Sequence, residues 1–297
     1  MSQNLAQLTY GIVGLGIMGG SVAKAIRKNI GGRIFALDKN DDFLRDAKNQ
    51  GVIDDGFAPE NARKMLAQCD VVFVCIYPRA TLEFLREHKN DFKDNALVTD
   101  ISGVKAMLQQ DFDSLCPPNA HLVLGHPMAG GEKEGFSAAN DEFFKNHNYI
   151  IIRQKNQGAE NDDNARELLK NLVRAMGFSR ITEVDSETHD NKIGFTSQLC
   201  HVIASVMVES AEDPEITSFG GGSFEDLTRI AMINAPLWTE LFLSNKDKLL
   251  AHIRTFKNHL EQMERMIERD DHDGLQDALE KVREKRIQMQ RFKESRK

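Results

Sequence analysis

The chain has no surplus of positive charge, no paired-cysteine motif, no internal repeat and no long unbroken apolar run. Each absence removes a class of function. With 38 Lys and Arg against 45 Asp and Glu, the formal charge is -7. That balance gives no electrostatic footprint for nucleic acid or an anionic membrane surface. The four cysteines, Cys69, Cys75, Cys116 and Cys200, form no C-x-x-C pair, which argues against a zinc site or a redox dithiol, and no metal is expected. Two of them sit in or beside apolar runs and read as core thiols, which fits a reducing cytoplasm. The opening "MSQNLAQLTYGIVGLG" lacks a basic region followed by a long apolar stretch, so no secretory leader is expected. No run approaches the roughly 18 apolar residues of a membrane span.

What remains is a chain of 297 residues, enough for one large or two ordinary domains. Its first part alternates short apolar strands with amphipathic segments. "TYGIVGLG" (9–16), "RIFALD" (33–38), "CDVVFVCIYP" (69–78), "NALVTDIS" (95–102), "AHLVLGHP" (120–127), "HNYIIIRQ" (147–154) and "SRITEVD" (179–185) read as strands. Helical spacing marks 19–29 and 162–176. Near-continuous apolar strands separated by helices predict a parallel sheet covered on both faces, an α/β domain over 1–184. From 185 to 297 helical periodicity takes over. The stretch 191–210 is apolar around most of its circumference and is expected to be a single buried helix. Leu249, Ile253, Phe256, Leu260, Met263 and Ile267 step by alternating fours and threes, a heptad seam. Leu275, Leu279 and Val282 resume it, and "RFKESRK" reads as a frayed end.

"VGLGIMGGS" places Gly14, Gly16 and Gly19 in G-x-G-x-x-G spacing around Leu15, Ile17 and Met18. The spacing alone is weak. Between a predicted strand and a predicted helix it reads as a dinucleotide loop. Gly14 permits the tight turn, Gly16 lets backbone approach a pyrophosphate, and Gly19 lets helix and strand close together. The N–H groups at the helix start, from Ile17 and Met18 on, then face the phosphates. Asp38 ends the second strand about 20 residues further on, where a carboxylate accepts hydrogen bonds from ribose hydroxyls and repels the extra phosphate of NADP. Lys39 beside it softens that preference, and NAD is the favoured cofactor. The competing role for Asp38 is a cap on the next helix.

Ser102 and His126 lie just past strand ends, where an open parallel sheet binds its ligands. A histidine there can take a proton from a hydroxyl that is losing hydride. It can also be a loop histidine bonded to its own glycine-rich turn.

"GHPMAGGEKEGFSAA" resembles the prephenate dehydrogenase family. So, in family order, do "GLGIMGGS", "TDISGVK", "HDNKIGFTSQLCH", "FEDLTRIA" and "NAPLWTELFLSN". The resemblance implies a Rossmann-like domain followed by an all-α domain that forms a homodimer. It implies NAD(P)-dependent oxidative decarboxylation of prephenate to 4-hydroxyphenylpyruvate in tyrosine biosynthesis, with NAD favoured by Asp38. It also assigns roles. His126 matches the histidine that accepts the ring-hydroxyl proton, and Arg229 the arginine that holds a substrate carboxylate. His201 and Ser197 match the ends of a substrate-side S-H-x-P-H stretch, and Trp238 a tryptophan that helps close the site. Glu132 and Asp190 match acidic residues at the pocket entrance. Taken without the resemblance, Arg229 reads equally as a helix-end cation and His201 as a satisfied core histidine.

Two departures stand out. Family members often read D-x-x-S-x-K, with the serine touching cofactor and histidine, whereas "DISGVK" places Gly103 there and Ser102 one residue earlier. "SQLCH" replaces a histidine and a proline by Gln198 and Cys200, so a straighter helix is expected. The sibling readings are arogenate dehydrogenase and a dual cyclohexadienyl dehydrogenase. The β-hydroxyacid dehydrogenases share the glycine loop but need K-x-x-N, and here Phe195 stands three residues after Lys192. A non-catalytic dinucleotide-sensing regulator is the remaining reading, since fold alone does not specify activity.

Overall fold

The structure, a computed structural model, describes residues 4–131, 133–153 and 159–295. In chain order its strands and α-helices are β1 (Thr9–Val13), α1 (Ile17–Asn29), β2 (Arg33–Leu37), α2 (Asp41–Asn49), β3 (Asp55–Phe57), α3 (Ala62–Leu66), β4 (Val71–Val74), α4 (Pro78–His88), β5 (Leu97–Asp100), α5 (Ala106–Gln110), α6 (Phe112–Leu115), β6 (His121–Pro127), β7 (Asn148–Ile152), α7 (Ala159–Ala175), β8 (Arg180–Val184), α8 (Ser186–Ile193), α9 (Leu199–Glu209), α10 (Gly222–Thr228), α11 (Ala235–Ser244), α12 (Lys246–Glu268) and α13 (His272–Glu294). Two compact units result, Met1–Lys246 and Asp247–Lys297.

The first unit is built on one sheet in the order β3-β2-β1-β4-β5-β6-β7-β8. Strand periodicity explains its two-faced core. Successive side chains point to opposite faces, so Tyr10, Ile12, Val71 and Phe73 join Val22, Ile26, Leu169 and Leu172 of α1 and α7 in one cluster. Val13, Val72, Val74 and Leu122 join Met65, Leu85, Leu108 and Leu115 of α3 to α6 in the other. Each fully buried aliphatic side chain contributes about 1.5–3 kcal/mol.

Strands β2, β1, β4, β5 and β6 run parallel, as expected, and β3 joins them in the same sense. The outer pair differs from a wholly parallel sheet. β7 is antiparallel to β6, and β8 is parallel to β7. The physical reason lies in residues 128–147. A parallel return needs a helical crossover, and the described residues there hold a short 3-10 turn, Phe136–Ala138, and no α-helix. β3 was not expected either; "DGF" is too short and polar to show a strand period, and it pairs with β2 at the sheet edge.

The helix expected over 191–210 departs in two ways. It is continuous with α8 through a π turn, Gly194–Gln198, where the Leu199 N–H bonds back to the Gly194 carbonyl. The stretch is therefore not one regular α-helix. The turn instead brings Gln198 inward, where its Nε2 donates to the Leu241 carbonyl and its Oε1 accepts from Asn245 Nδ2 (both 2.8 Å). Nor is the helix buried all round. Ile193, Leu199 and Ala204 are covered, while Phe195, Val206, Met207 and Val208 are exposed. One stripe satisfies the fold of the chain, and the opposite stripe is left open.

The second unit consists of the rest of α12 and α13. The heptad seam is largely open: Phe256, Leu260, Ile267, Leu279 and Val282 are all exposed. α13 continues through most of the tail expected to fray, ending at Glu294 with its carbonyl ladder closed by Ser295. No described helix is long and apolar enough to cross a membrane.

Candidate active site

The glycine loop joins β1 to α1 at the carboxyl edge of the sheet. Gly14 has φ +87°, and a side chain there would meet Ile76 and the Cys75 carbonyl at 2.5–2.7 Å. A carbon added to Gly19 would lie 1.8 Å from the Gly14 carbonyl oxygen. Both positions exclude any larger residue. Gly16, the residue preceding α1, faces open space, with nothing within 4 Å of an added carbon. A phosphate cradle needs this geometry: closed behind, open in front, with the helix N–H groups turned outward. Ile17 and Met18 form the first turn of α1, both partly exposed.

Asp38 does not cap α2; Asn40 does, accepting from the Asp42 N–H at 3.0 Å. One Asp38 oxygen accepts from the Leu15 N–H of the glycine loop at 2.5 Å, and the other from the Asn40 N–H at 2.8 Å. A carboxylate has about four acceptor positions, so capacity remains for ribose hydroxyls. These residues fit a dinucleotide.

His126 is the penultimate residue of β6. A buried ion pair holds the backbone just before it. Lys105, 0 % exposed, donates from Nζ to Asp100 Oδ2 (2.6 Å) and to the Gly125 carbonyl (2.5 Å). The Gly125 N–H donates to the other Asp100 oxygen at 3.2 Å. Gly125 is therefore pinned at both its donor and its acceptor. His126 itself is partly buried. Burial, reinforced by His189 and the Lys105 charge, holds it well below the ordinary histidine value. It is the neutral form that can accept a proton.

Ser102 does not meet His126 as a site serine would. Its N–H donates to Asp100 Oδ2 at 2.9 Å, and its Oγ is buried with no hydrogen-bond partner among the described residues. The neighbouring Gly103 is the residue beside the histidine; a carbon added there would lie 3.7 Å from His126 Nε2.

Asp190 corrects an expectation. It is 2 % exposed, not at a pocket entrance. Its oxygens accept from the Lys105 N–H (2.9 Å), the Ala106 N–H (2.7 Å) and His189 Nδ1 (2.6 Å). It thus caps the start of α5 and fastens it to α8. His189 reaches on to His126, with Nε2 2.9 Å from His126 Nδ1. Lys105, Asp100 and His189 were all present in "TDISGVK" and "HDNK", but nothing in their local spacing signalled these contacts.

Toward the helices, His201 on α9 bonds the Ser197 carbonyl through Nδ1 (2.9 Å) and stacks on Trp238 of α11, ring centroids 3.5 Å apart. It is neither fully buried nor a lone core histidine. Ser197 lies one residue from the inward-turned Gln198 and is partly exposed. Arg229 opens the turn 229–231, which packs against α9, and its side chain is exposed. α11 in turn packs against α4, where Glu240 accepts from the Arg79 N–H. Asn234 donates to the Tyr77 hydroxyl and to Glu134. Glu132 lies outside the described residues. Among the described residues no group of three or more His, Cys, Asp or Glu could hold a metal ion.

Two family models match in tandem. The prephenate dehydrogenase nucleotide-binding domain covers residues 22–176, and the prephenate dehydrogenase dimerization domain covers 185–281. The chain belongs to the prephenate dehydrogenase family. The first match begins just past Gly19, so the family model does not itself include the glycine loop. Among relatives, the prephenate dehydrogenase of Bacillus subtilis is 31% identical over 89% of this chain and 71% of its own length. The cyclohexadienyl dehydrogenase of Zymomonas mobilis is 26% identical over 93% and 94%. Among solved structures, the prephenate dehydrogenase of Aquifex aeolicus in complex with hydroxyphenyl propionate and NAD+ superposes with a TM-score of 0.85. It is 28% identical and covers 97% of this chain and all of that one. The family, and with it the oxidoreductase class of prephenate and cyclohexadienyl dehydrogenases, is thereby established.

Proposed function

We propose that this chain catalyses NAD-dependent oxidative decarboxylation of prephenate to 4-hydroxyphenylpyruvate, with a dinucleotide-binding domain over 1–184 and a helical substrate and dimerisation domain over 185–297. The observation that carries the reading is the placement of neutral His126 at the carboxyl end of the sheet that also bears the glycine loop. Gly14, Gly16, Gly19 and the α1 start hold the pyrophosphate, and Asp38 the ribose. The nicotinamide, when bound, supplies the acceptor for the hydride leaving the hydroxyl-bearing ring carbon. His126 Nε2 accepts the hydroxyl proton as that oxygen becomes a carbonyl. CO2 leaves from the opposite ring carbon, its bonding pair moves into the ring, and the oxygen, now phenolic, takes back the proton held on His126; aromatisation drives the change. Arg229 supplies a fixed cation for a substrate carboxylate, and Trp238 with His201 closes the helical side.

Prephenate is favoured over arogenate because Asp190 cannot reward an ammonium group: it is buried and engaged by three donors. The groups that the resemblance places closest to the substrate side chain, Ser197, His201 and Arg229, are neutral or cationic. The expected kcat/KM for prephenate exceeds that for arogenate by about 10-fold or more. NADH formation and CO2 release with each substrate test both statements. No turnover of either would refute the activity, and equal turnover would refute the preference. NAD is favoured over NADP by the Asp38 carboxylate. The uncovered stripes on α9, α12 and α13 support a homodimer through the helices.

A further inference from the structure

We propose that His189 and Asp190 are positioning residues that fix the tautomer of His126, so that its Nε2 presents a bare lone pair to the crevice. The inference rests on the reading of His126 as the proton acceptor. The argument begins at Asp190. Two of its hydrogen bonds come from backbone N–H groups, of Lys105 and Ala106, so the carboxylate acts as an acceptor throughout. The ring nitrogen 2.6 Å away, His189 Nδ1, must then carry the hydrogen. A neutral imidazole has one N–H, which leaves His189 Nε2 as an acceptor. The atom facing it at 2.9 Å is His126 Nδ1, and a hydrogen bond across that gap requires His126 to donate. The hydrogen of His126 therefore resides on Nδ1, and Nε2 is free of it. The rings meet edge-on, 68° between their planes, which aims one nitrogen of each at the other.

The opposite arrangement needs His189 as a cation donating to His126, which would put the His126 hydrogen on Nε2 and disable it as a base. The surroundings disfavour that arrangement. His189 is 1 % exposed. The groups around the pair are Lys105, already cationic against Asp100, Asp190, already neutralised in part by the α5 backbone, and the uncharged Gly103 on the Nε2 side. A second buried cation would lie close to the first. The hydrogen bond made by one ring nitrogen sets the state of the other, and here the setting nitrogen belongs to an element 63 residues further along the chain.

The test separates tautomer from turnover. In protein labelled with 15N-histidine, His126 should show a protonated Nδ1 and a bare Nε2. His189→Phe should shift it toward the Nε2-protonated form, with kcat down about 10-fold or more, KM for prephenate little changed, and the acid limb of the pH profile moved upward. His189→Gln, whose amide oxygen can accept the Nδ1 hydrogen, should keep the wild-type tautomer and recover most of kcat. A protonated Nε2 in the wild type overturns the proposal. So does a folded His189→Gln as impaired as His189→Phe, or a His189→Phe with unchanged tautomer and rate. If His189→Phe fails to fold, the wild-type spectrum and His189→Gln still decide. The expected tautomer without any prephenate turnover would sink the substrate reading and leave the positioning role standing.

Discussion

Strand β4 and helix α12 use the same kinds of side chain and come out oppositely. Val71, Val72, Phe73 and Val74 are each 0 % exposed. Leu260 and Ile267, just as regularly spaced, are 56 % and 61 % exposed. The strand finds both its covers within its own unit, because helices before and after it in the chain close over the two faces. The α12 seam is left largely exposed. Periodicity reports that a face wants to be buried; it does not report whose atoms will bury it. The same division runs through polar groups. Around Gly125 the Lys105–Asp100 pair is fully enclosed, whereas Arg229 and much of the seam are exposed.

The largest effect should come from breaking the enclosed region. Lys105→Ala leaves Asp100 buried without its cation, and loss of one partner of such a pair costs about 3–5 kcal/mol. Urea unfolding should show a lower midpoint of that size; a change under 1 kcal/mol would mean that the two backbone N–H groups alone satisfy Asp100. His126→Asn comes next, with kcat reduced roughly 10²-fold or more while prephenate still binds. In the wild type, the depressed His126 value keeps the base neutral as pH falls, so the acid limb of kcat should lie below the ordinary histidine value of about 6.5. A limb at or above that value would place another group in the role.

The comparison is sharpened from the other side by Leu260→Asp combined with Ile267→Asp. If a second copy covers the seam, these charges should weaken association by at least ~10-fold while helix content stays unchanged, as read by light scattering and circular dichroism. An unaffected dimer would assign the interface to α9 or to other faces. The smallest effect is expected from Asp38→Ala, with the NAD-over-NADP preference reduced about 10-fold. Unchanged preference would reduce Asp38 to its two backbone bonds, to Leu15 and Asn40.

Much was legible locally. Strand runs with period two, the G-x-G-x-x-G spacing and the placement of His126 after an apolar strand each depend on sterics within a few residues, and they carried through to β1, α1 and β6. The ordered motifs likewise sufficed to indicate the family. What the tertiary structure alone decided involves partners distant in the chain. The reversal of β7 followed from the lack of a covering helix among the described residues of 128–147. The inward turn of Gln198 followed from acceptors and donors on Leu241 and Asn245, and it placed a π turn where a straight helix was expected. Asp190, read as an entrance carboxylate, became a buried cap because α5 starts beside it. His189 acquired its place against His126 in the same way. Local sequence fixes which groups can bond, since that is a matter of their chemistry; which of them meet is decided by the folding that brings α8 onto the end of the sheet.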